Sequence, residues 1–157
     1  MSKAYDRVEW DFLEGIMVQM GFVEKWISLV MACVKSVSYS VLLNREPRGL
    51  IYPSRGIRQG DPLSPYLFLI CAEGLSSLLR KADMDKTIHG VSVCRGGLKV
   101  SHLLFADDSL IFCEASRQEC DRLGTLLDLY ESALNGKSTK KSLFFSKKTL
   151  PIIRIEI

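Results

Sequence analysis

The spacing of apolar residues in the first part of the chain predicts two amphipathic helices. Asp6 and Glu9 form a capping-box-like pair, so a helix is expected to begin there and to end at about Met20, before Gly21. Its predicted buried stripe has helical spacing and consists of Val8, Phe12, Ile16 and Met20. A second helix is expected over about residues 23–36, and its inward-facing residues are Trp26, Val30 and either Cys33 or Val34.

The next part of the chain predicts a pair of strands and a long buried helix. The run "YSVLLN" (39–44) alternates like a strand, and "GLIYP" (49–53) is expected to return beside it after a turn at "NREP". The loop that follows is rich in glycine and proline. Ser64 is a natural N-cap for a helix that begins at Pro65 and reaches about Lys81. Because the interior of this helix is almost wholly apolar, we expect it to lie deep against a sheet.

The remaining pattern predicts two hairpins, a helix and a final strand, and hence an α+β fold. "GVSV" and "LKVSHLLF" flank a turn at Gly96 and Gly97, and "HLLFADDSLIFC" (102–113) forms a second apolar hairpin. Ser116 and Glu119 predict the capping box of a helix, and "SLFFS" a last strand. Because hairpins link the strands, the sheet should be antiparallel or mixed and backed by helices. The predicted apolar face of the capped helix is Cys120, Leu123, Leu127, Tyr130 and Leu134.

Composition indicates an intracellular globular protein of one domain. Of the 157 residues, 47% are hydrophobic and 25% charged, which supports a core without disulfides. The five cysteines are scattered without metal-ligand spacing, so we interpret them as buried hydrophobic residues in a reducing compartment. The polar N-terminus does not fit a signal peptide, and the longest apolar run, "LFLICA" (67–72), is too short to cross a membrane.

The charge of the chain is only mildly basic. A net charge of +3 permits a nucleic-acid partner but does not predict one. Lysines crowd the C-terminal part, where a solvated tail is favoured over a phosphate-binding patch. These residues are Lys137, Lys140, Lys141, Lys147 and Lys148.

Two neighbouring aspartates, Asp107 and Asp108, stand at the predicted tip of the 102–113 hairpin. At a separation of about 4 Å, their carboxylates repel each other by roughly 4 kcal/mol at an effective dielectric near 20. The dipeptide alone favours a solvated polar turn. The alternative is a metal site, because hard oxygen ligands suit Mg²⁺ or Mn²⁺, and two such ions can flank a transferred phosphoryl group.

The segment "RGIRQGDPLSP" (55–65) is a second candidate for function. The start of an ordinary helix explains Ser64 and Pro65 well but explains Gln59 and Gly60 poorly. Glycines let a backbone approach a flat or phosphorylated ligand closely. In such a site Gln59 could hydrogen-bond a sugar or base, and Arg55 or Arg58 could pair with a phosphate.

Three segments in series resemble the motifs of reverse transcriptases. "SKAYD" (2–6), "RGIRQGDPLSP" and "FADD" (105–108) follow the order of motifs A, B and C. The residues around them are most similar to the non-LTR, LINE-type retrotransposons of plants, and the resemblance covers nearly the whole chain. It implies the palm of an RNA-directed DNA polymerase, with a ferredoxin- or RRM-like antiparallel sheet backed by helices. It also implies Mg²⁺ or Mn²⁺ as cofactor and an RNA template, a DNA primer and dNTPs as partners.

The resemblance assigns roles to individual residues. Asp107 and Asp108 match the aspartates that hold the catalytic metals, and Tyr5 matches the aromatic residue that excludes a 2′-hydroxyl. The backbone N–H groups of Ala4 and Tyr5 are expected to contact the triphosphate. The other assignments are the nucleotide-pocket residues Gln59 and Gly60, the template, primer or phosphate contacts Arg55 and Arg58, and Lys141 or else Lys140 as the lysine of a shortened fourth motif.

The resemblance also implies that residues 1–157 form a partial palm without fingers, thumb or endonuclease. The family's third metal ligand is an aspartate just before the segment that matches motif A, and this sequence has no position for it. The strand carrying that aspartate should pair beside the 102–113 hairpin, so an open apolar edge is expected. The apolar end of the chain lacks helical spacing and is interpreted as a drifted or cut reading frame. Since a metal ligand is missing, the chain alone is not expected to polymerise.

Three functional hypotheses follow from the sequence. The first is a reverse transcriptase palm by descent. The second is a non-catalytic nucleic-acid-binding module that uses the lysines of residues 137–148 and binds in a salt-dependent manner. The third is an unrelated metal-dependent phosphohydrolase, which would need a further carboxylate or histidine facing the hairpin.

Overall fold

The computed structural model describes residues 4–105, 108–135, 144–146 and 152–156, and the side chains of residues 6–105 and 108–134. The chain divides into two compact units, residues 1–71 and residues 72–157, and each is described by itself. Helices and small antiparallel sheets make up both parts, which confirms the predicted α+β class.

The first unit begins with helices. A 3₁₀ turn over Ala4–Arg7 precedes helix α1 (Trp10–Gln19), and helix α2 (Glu24–Lys35) follows. Two strands come next, β1 (Tyr39–Leu43) and β2 (Glu46–Ile51). Helix α3 (Ser64–Met84) begins in this unit and continues into the second.

Helix α1 begins later than its sequence suggests. Asp6 lies in the 3₁₀ turn rather than at a helix N-cap; the N-cap is Glu9, whose side chain makes no capping hydrogen bond. The prediction of a capping box at these two residues is therefore wrong. The helix begins at Trp10, and the residues buried within it are Leu13 and Met17. The predicted stripe is correct at Val8, which is buried, and wrong at its other end, where Met20 is 46% exposed.

Helix α2 buries a different set of residues from the one predicted. Its core side chains are Ile27, Val30 and Met31, so only Val30 was assigned correctly. Trp26 is 40% exposed, and its ring stacks on Phe22, with the two ring centroids 4.5 Å apart. The stacking partner precedes the helix, and helical spacing cannot reveal it.

Strands β1 and β2 form an antiparallel hairpin, as predicted, with a two-residue turn. Asn44 and Arg45 have φ values of 51° and 68°, the left-handed conformation of a tight hairpin turn. The returning strand begins at Glu46, earlier than the predicted residue 49, because the turn needs two residues rather than four. Every residue of both strands is exposed, including the strand residue Pro47.

Helix α3 is longer than predicted and buries one face rather than its whole circumference. It ends at Met84 rather than at about Lys81. Leu69 remains 64% exposed although the sequence around it is apolar. The buried face consists of Leu67, Phe68, Cys71, Ala72, Leu75, Ser76, Leu79 and Ala82.

The second unit contains six strands and one further helix among its described residues. Strands β3 (Val91–Ser92) and β4 (Lys99–Val100) form a short hairpin, as predicted. The larger antiparallel sheet has the order β5-β6-β8-β7. Its strands are β5 (His102–Phe105), β6 (Asp108–Phe112), β7 (Phe144–Ser146) and β8 (Ile152–Glu156). Helix α4 (Arg117–Asn135) buries Leu123, Leu127, Tyr130 and Leu134, as its pattern predicted, whereas Cys120 is only partly buried.

The end of the chain contains a strand that was not predicted. The last strand was expected at "SLFFS", yet residues 152–156 form a further strand, β8. β8 pairs with β6 and so covers one edge of the 102–113 hairpin, whereas β5, the other strand of this hairpin, is the outermost strand of the described sheet. Three of the five residues of β8 are isoleucines, and β-branched side chains favour extended backbone.

The cysteines are less uniformly buried than expected. Cys71 and Cys113 are buried, and burial raises the pKa of their thiols to about 12 and about 11, so both stay protonated at neutral pH. Cys33 and Cys94 are exposed, against the expectation. None of the five is in a disulfide. Among the described residues, no helix combines the length and apolar character needed to span a membrane.

Candidate functional site

Hydrogen bonds and an ion pair connect the loop that begins at Arg55 to the start of α1 and the segment before it. The N–H of Gly56 donates to the carbonyl of Val8 at 2.8 Å, and Nε1 of Trp10 donates to the carbonyl of Gly56 at 2.9 Å. Glu9 and Arg55 form an isolated antiparallel bridge, and their side chains make an ion pair at 3.4 Å. These contacts join the residues that follow "SKAYD" to the start of "RGIRQGDPLSP".

Gly56 is required by this junction. Its φ is +90°, a left-handed conformation that side chains rarely adopt. A Cβ at this position would lie 3.1 Å from the backbone oxygen of Asp6. Glycine therefore permits both the turn and the close approach of the two backbones.

The other end of the loop is fixed at the start of α3. Oδ1 of Asp61 accepts a hydrogen bond from the N–H of Leu63 at 2.8 Å, and its backbone oxygen accepts one from Ser64 at 3.1 Å. The hydroxyl of Ser64 is buried and donates to the carbonyl of Arg58 at 2.5 Å. The prediction that Ser64 is an N-cap is therefore wrong. Its side chain instead holds the backbone of Arg58.

This loop lines an open cavity of about 380 Å³ in the first unit. Arg55, Arg58 and Gln59, three of the predicted site residues, all line it. The other lining residues are Asp6, Tyr39, Pro53, Gly56 and Ile57. We call this the loop pocket. It combines two guanidinium groups, one carboxylate, one amide and one phenol, and these groups suit a ligand with both phosphate and ring components.

Two lining residues of the loop pocket were missed from the sequence. Asp6 was interpreted as a helix cap, and Tyr39 as an ordinary residue of a strand. Tyr39 begins β1 and also lines a smaller, more apolar pocket with Trp10 and Leu67. Its position at the start of an exposed hairpin gives little indication of a binding role, because it lines a pocket only when the loop that follows the hairpin is folded.

The remaining predicted site residues of this unit are Ala4, Tyr5 and Gly60. The backbone of Ala4 and Tyr5 belongs to the 3₁₀ turn beside Asp6, and their side chains lie outside the described part of the chain. Gly60 does not line the loop pocket. Its φ of +81° marks a left-handed turn in the same loop.

The hairpin with the aspartate pair lies in the second unit. Phe105 pairs with Asp108, so the connection between the strands consists of residues 106 and 107. Asp107 lies outside the described residues, and Asp108 is the first residue of β6. Asp108 is half-buried, and on its other side it pairs in register with Glu156 of β8. Of the two aspartates, only Asp108 is therefore placed, at the start of a strand.

Polar side chains support the base of this hairpin. Nε2 of His102 lies 2.9 Å from the hydroxyl of Ser76 on α3, and its Nδ1 lies 3.0 Å from the hydroxyl of Ser101. Burial lowers the pKa of His102, and the positive charge of Arg80 lowers it further. The imidazole is therefore neutral at physiological pH and shares hydrogen bonds with both hydroxyl groups.

The lysine-rich part of the chain was predicted to hold a further phosphate contact. Lys141, Lys140 and the other lysines of residues 137–148 lie outside the described residues. Their predicted role as contacts to phosphate stays a prediction.

Comparison with known proteins gives the family. The family described as "Reverse transcriptase (RNA-dependent DNA polymerase)" matches residues 1–149, which is nearly the whole chain. The chain belongs to this family, as the order of its three motifs predicted.

Similar proteins come from plants and from transposable elements. An uncharacterized mitochondrial protein of Arabidopsis thaliana is 52% identical over 68 residues, which are 43% of this chain and 56% of that protein. A retrovirus-related Pol polyprotein from the type-1 retrotransposable element R2 of Popillia japonica is 28% identical over 111 residues, 71% of this chain and 17% of that protein. The transposon TX1 uncharacterized 149 kDa protein of Xenopus laevis is 26% identical over 127 residues, 78% of this chain and 9% of that protein. The chain thus spans little more than half of the first relative and under a fifth of the other two.

Proposed function

We propose that this chain is a reverse transcriptase palm module that binds an RNA template, a DNA primer and a dNTP, with the loop pocket as part of its nucleotide site. The observation that carries the proposal is the convergence of Asp6, Arg55, Arg58 and Gln59 on one cavity. These residues come from the two segments that match motifs A and B. The family match over residues 1–149 supports the same assignment and leaves an unrelated phosphohydrolase without support.

Each side chain of the loop pocket has a chemical role in this proposal. The guanidinium groups of Arg55 and Arg58 pair with phosphate oxygens, and Arg55 remains anchored through Glu9. The phenol ring of Tyr39 offers a face on which a base or sugar stacks. Gln59 hydrogen-bonds the polar edge of the same nucleotide, since an amide can both donate and accept.

Asp107 and Asp108 are proposed to hold Mg²⁺ or Mn²⁺. The donor set fits, because both side chains supply hard carboxylate oxygens and Asp108 is only half-buried at the start of β6, where solvent and a ligand reach it. A bound ion would neutralise negative charge on the phosphoryl group that is transferred. Asp108 itself is held in place by pairing with strands on both sides.

Catalysis is tested with a primer-extension assay in the presence of Mg²⁺ or Mn²⁺. Any incorporation of dNTPs should depend on Asp108, because a two-metal reaction loses most of its rate without one ligand. Incorporation that Asp108→Asn leaves unchanged would refute the proposed metal-binding role of this residue.

Binding is tested separately with a fluorescent RNA–DNA template–primer and the matching dNTP. Tyr39→Ala should weaken the complex by about 5- to 150-fold, since removal of one stacking aromatic costs about 1–3 kcal/mol per base. The control is Tyr66→Ala, which removes an exposed tyrosine outside the loop pocket. Equal affinities for both variants would show that the loop pocket is not part of the nucleotide site.

The second candidate function is a nucleic-acid-binding module without nucleotide recognition. The observation in its favour is that the loop pocket is lined by two arginines and not by Asp108. In that case the template–primer affinity is the same with and without the matching dNTP. The palm module predicts that the matching dNTP tightens the complex and a mismatched dNTP does not.

A further inference from the structure

Three metal-binding side chains meet in the second unit at a place that the polymerase assignment does not use. They are His89, in the loop after α3, Glu114, two residues after β6, and Glu119, in the first turn of α4. One ligand atom of each lies within 4.8 Å of the others. Ligand atoms around a tetrahedral zinc ion lie about 3.4 Å apart, so side-chain adjustments of about 1 Å allow all three to reach one ion.

The carboxylate of Glu119 organises this cluster. The residue is 4% exposed, and its Oε2 accepts hydrogen bonds from the backbone N–H of His89 at 3.1 Å and of Glu114 at 2.8 Å. Its own N–H donates to the hydroxyl of Ser116 at 3.2 Å. One buried carboxylate therefore fixes the backbone of both other ligand residues, which is the supporting arrangement that metal sites require.

The ligand atoms of the three residues lie close together, and two of the three residues are accessible to water. Oε1 of Glu119 lies 2.5 Å from Nδ1 of His89. The side chain of His89 is 43% exposed and Glu114 is exposed, so water can complete the coordination of an ion. Glu119 contributes its second oxygen to the site while the first holds the backbone.

We propose that His89, Glu114 and Glu119 bind one zinc-class divalent ion, with water in its remaining coordination positions. One imidazole nitrogen with two carboxylate oxygens suits Zn²⁺, Co²⁺ or Ni²⁺, whereas Mg²⁺ prefers oxygen ligands throughout. The ion would join the loop after α3 to the start of α4. This site and Asp108 lie at opposite ends of β6, so it is separate from the proposed catalytic metals.

A proton competes with the ion for the same position. In the structure Nδ1 of His89 and Oε1 of Glu119 share a hydrogen bond, and an ion must displace that hydrogen before it coordinates both atoms. Zinc binding therefore replaces this hydrogen bond, whereas a plain hydrogen-bonded pair of His89 and Glu119 would bind no zinc.

Isothermal titration of the full chain with Zn²⁺ in a non-chelating buffer tests the proposal. We expect one zinc ion per chain, and binding about 10- to 100-fold weaker in Glu114→Gln. Glu114 is exposed, and its side chain makes no hydrogen bond to another residue that the structure describes, so this variant should stay folded. Glu24→Gln, an exposed glutamate at the start of α2, is the matched control and should bind as the wild type does.

Further measurements separate this site from other sources of zinc binding. Asp108→Asn should keep the zinc affinity, and Mg²⁺ in excess should not displace the zinc. Zinc should also raise the temperature of unfolding of the wild type in a concentration-dependent manner. The proposal fails if zinc does not bind, if Glu114→Gln binds as tightly as Glu24→Gln, or if Cys120→Ser rather than Glu114→Gln abolishes binding.

Discussion

At the scale of single residues, the loop pocket depends most on Gly56. Gly56→Ala should lower the free energy of unfolding by about 2–5 kcal/mol, because it adds left-handed strain and places a methyl group against the backbone of Asp6. Chemical denaturation of the variant, with circular dichroism as the signal, measures this change.

Two other glycines serve as controls for that substitution. Gly60 shares the left-handed conformation but has open space at its Cβ, so Gly60→Ala should cost about 1–2 kcal/mol. Gly15 is an exposed residue of α1 with open space, so Gly15→Ala should stabilise the protein by about 0.5–1 kcal/mol. Equal costs at Gly56 and Gly60 would show that the contact with Asp6 does not matter.

A second prediction at this scale concerns pH. Because the pKa of His102 is lowered in the folded state, the unfolded chain binds a proton more readily than the folded chain. Stability should be fully present above pH 6.5, approximately the ordinary pKa of histidine, and should fall as the pH drops from there through the folded pKa. Urea unfolding between pH 5 and pH 7.5 measures this loss. His102→Gln should show a smaller loss over the same range, and equal slopes would contradict the prediction.

Single residues also show why some site residues escape a sequence-based prediction. Arg55, Arg58 and Gln59 were predicted from one motif, and all three line the loop pocket, where their contacts to a ligand stay a prediction. Asp6 and Tyr39 were missed because their place in the loop pocket depends on how the loop folds against the residues before α1. That contact joins positions 46 residues apart, such as Trp10 and Gly56, and no local pattern reports it.

At the scale of elements, the position of β8 is the feature that the sequence predicted least well. Ile153 pairs with Ile111 of β6 and with Phe145 of β7, so its strand lies inside the sheet. Ile153→Pro should lower the free energy of unfolding by about 1–3 kcal/mol, because proline removes an N–H from a strand with neighbours on both sides. The variant should also aggregate more, since a released β8 would expose the edge of β6.

The control for the proline variant is Ile153→Thr, which keeps the N–H group and the β-branching. Thermal unfolding and light scattering of the two variants are to be compared. If Ile153→Pro is as stable and as soluble as Ile153→Thr, then β8 does not contribute to the sheet.

The elements differ in how far the sequence determines them. Hairpins such as β1–β2 and β5–β6 were predicted because their turns and alternation are local. The predicted buried faces of α1 and α2 each contained wrong residues. Before α1 the chain forms a 3₁₀ turn that the spacing did not reveal, and in α2 Trp26 stacks on Phe22 outside the helix instead of joining the core. The pairing of β8 with β6 joins strands 40 or more positions apart, since Asp108 pairs with Glu156, and this pairing cannot be deduced from alternation alone.

At the scale of the whole molecule, the small net charge of +3 means that long-range attraction alone should contribute little to nucleic-acid binding. Any strong salt dependence must then come from particular phosphate contacts. Arg58→Gln should reduce the slope of log affinity against log salt concentration by about one, because one phosphate contact and its released counterion are lost.

Arg117→Gln is the matched control for this prediction. Arg117 is exposed at the start of α4, in the second unit, and its replacement lowers the net charge by the same amount as Arg58→Gln. Fluorescence anisotropy of an RNA–DNA template–primer at several salt concentrations measures both slopes. If the two variants reduce the slope equally, net charge governs binding and the loop pocket does not contact phosphate. If only Arg58→Gln reduces it, the affinity of this mildly basic chain for nucleic acid is concentrated at the loop pocket.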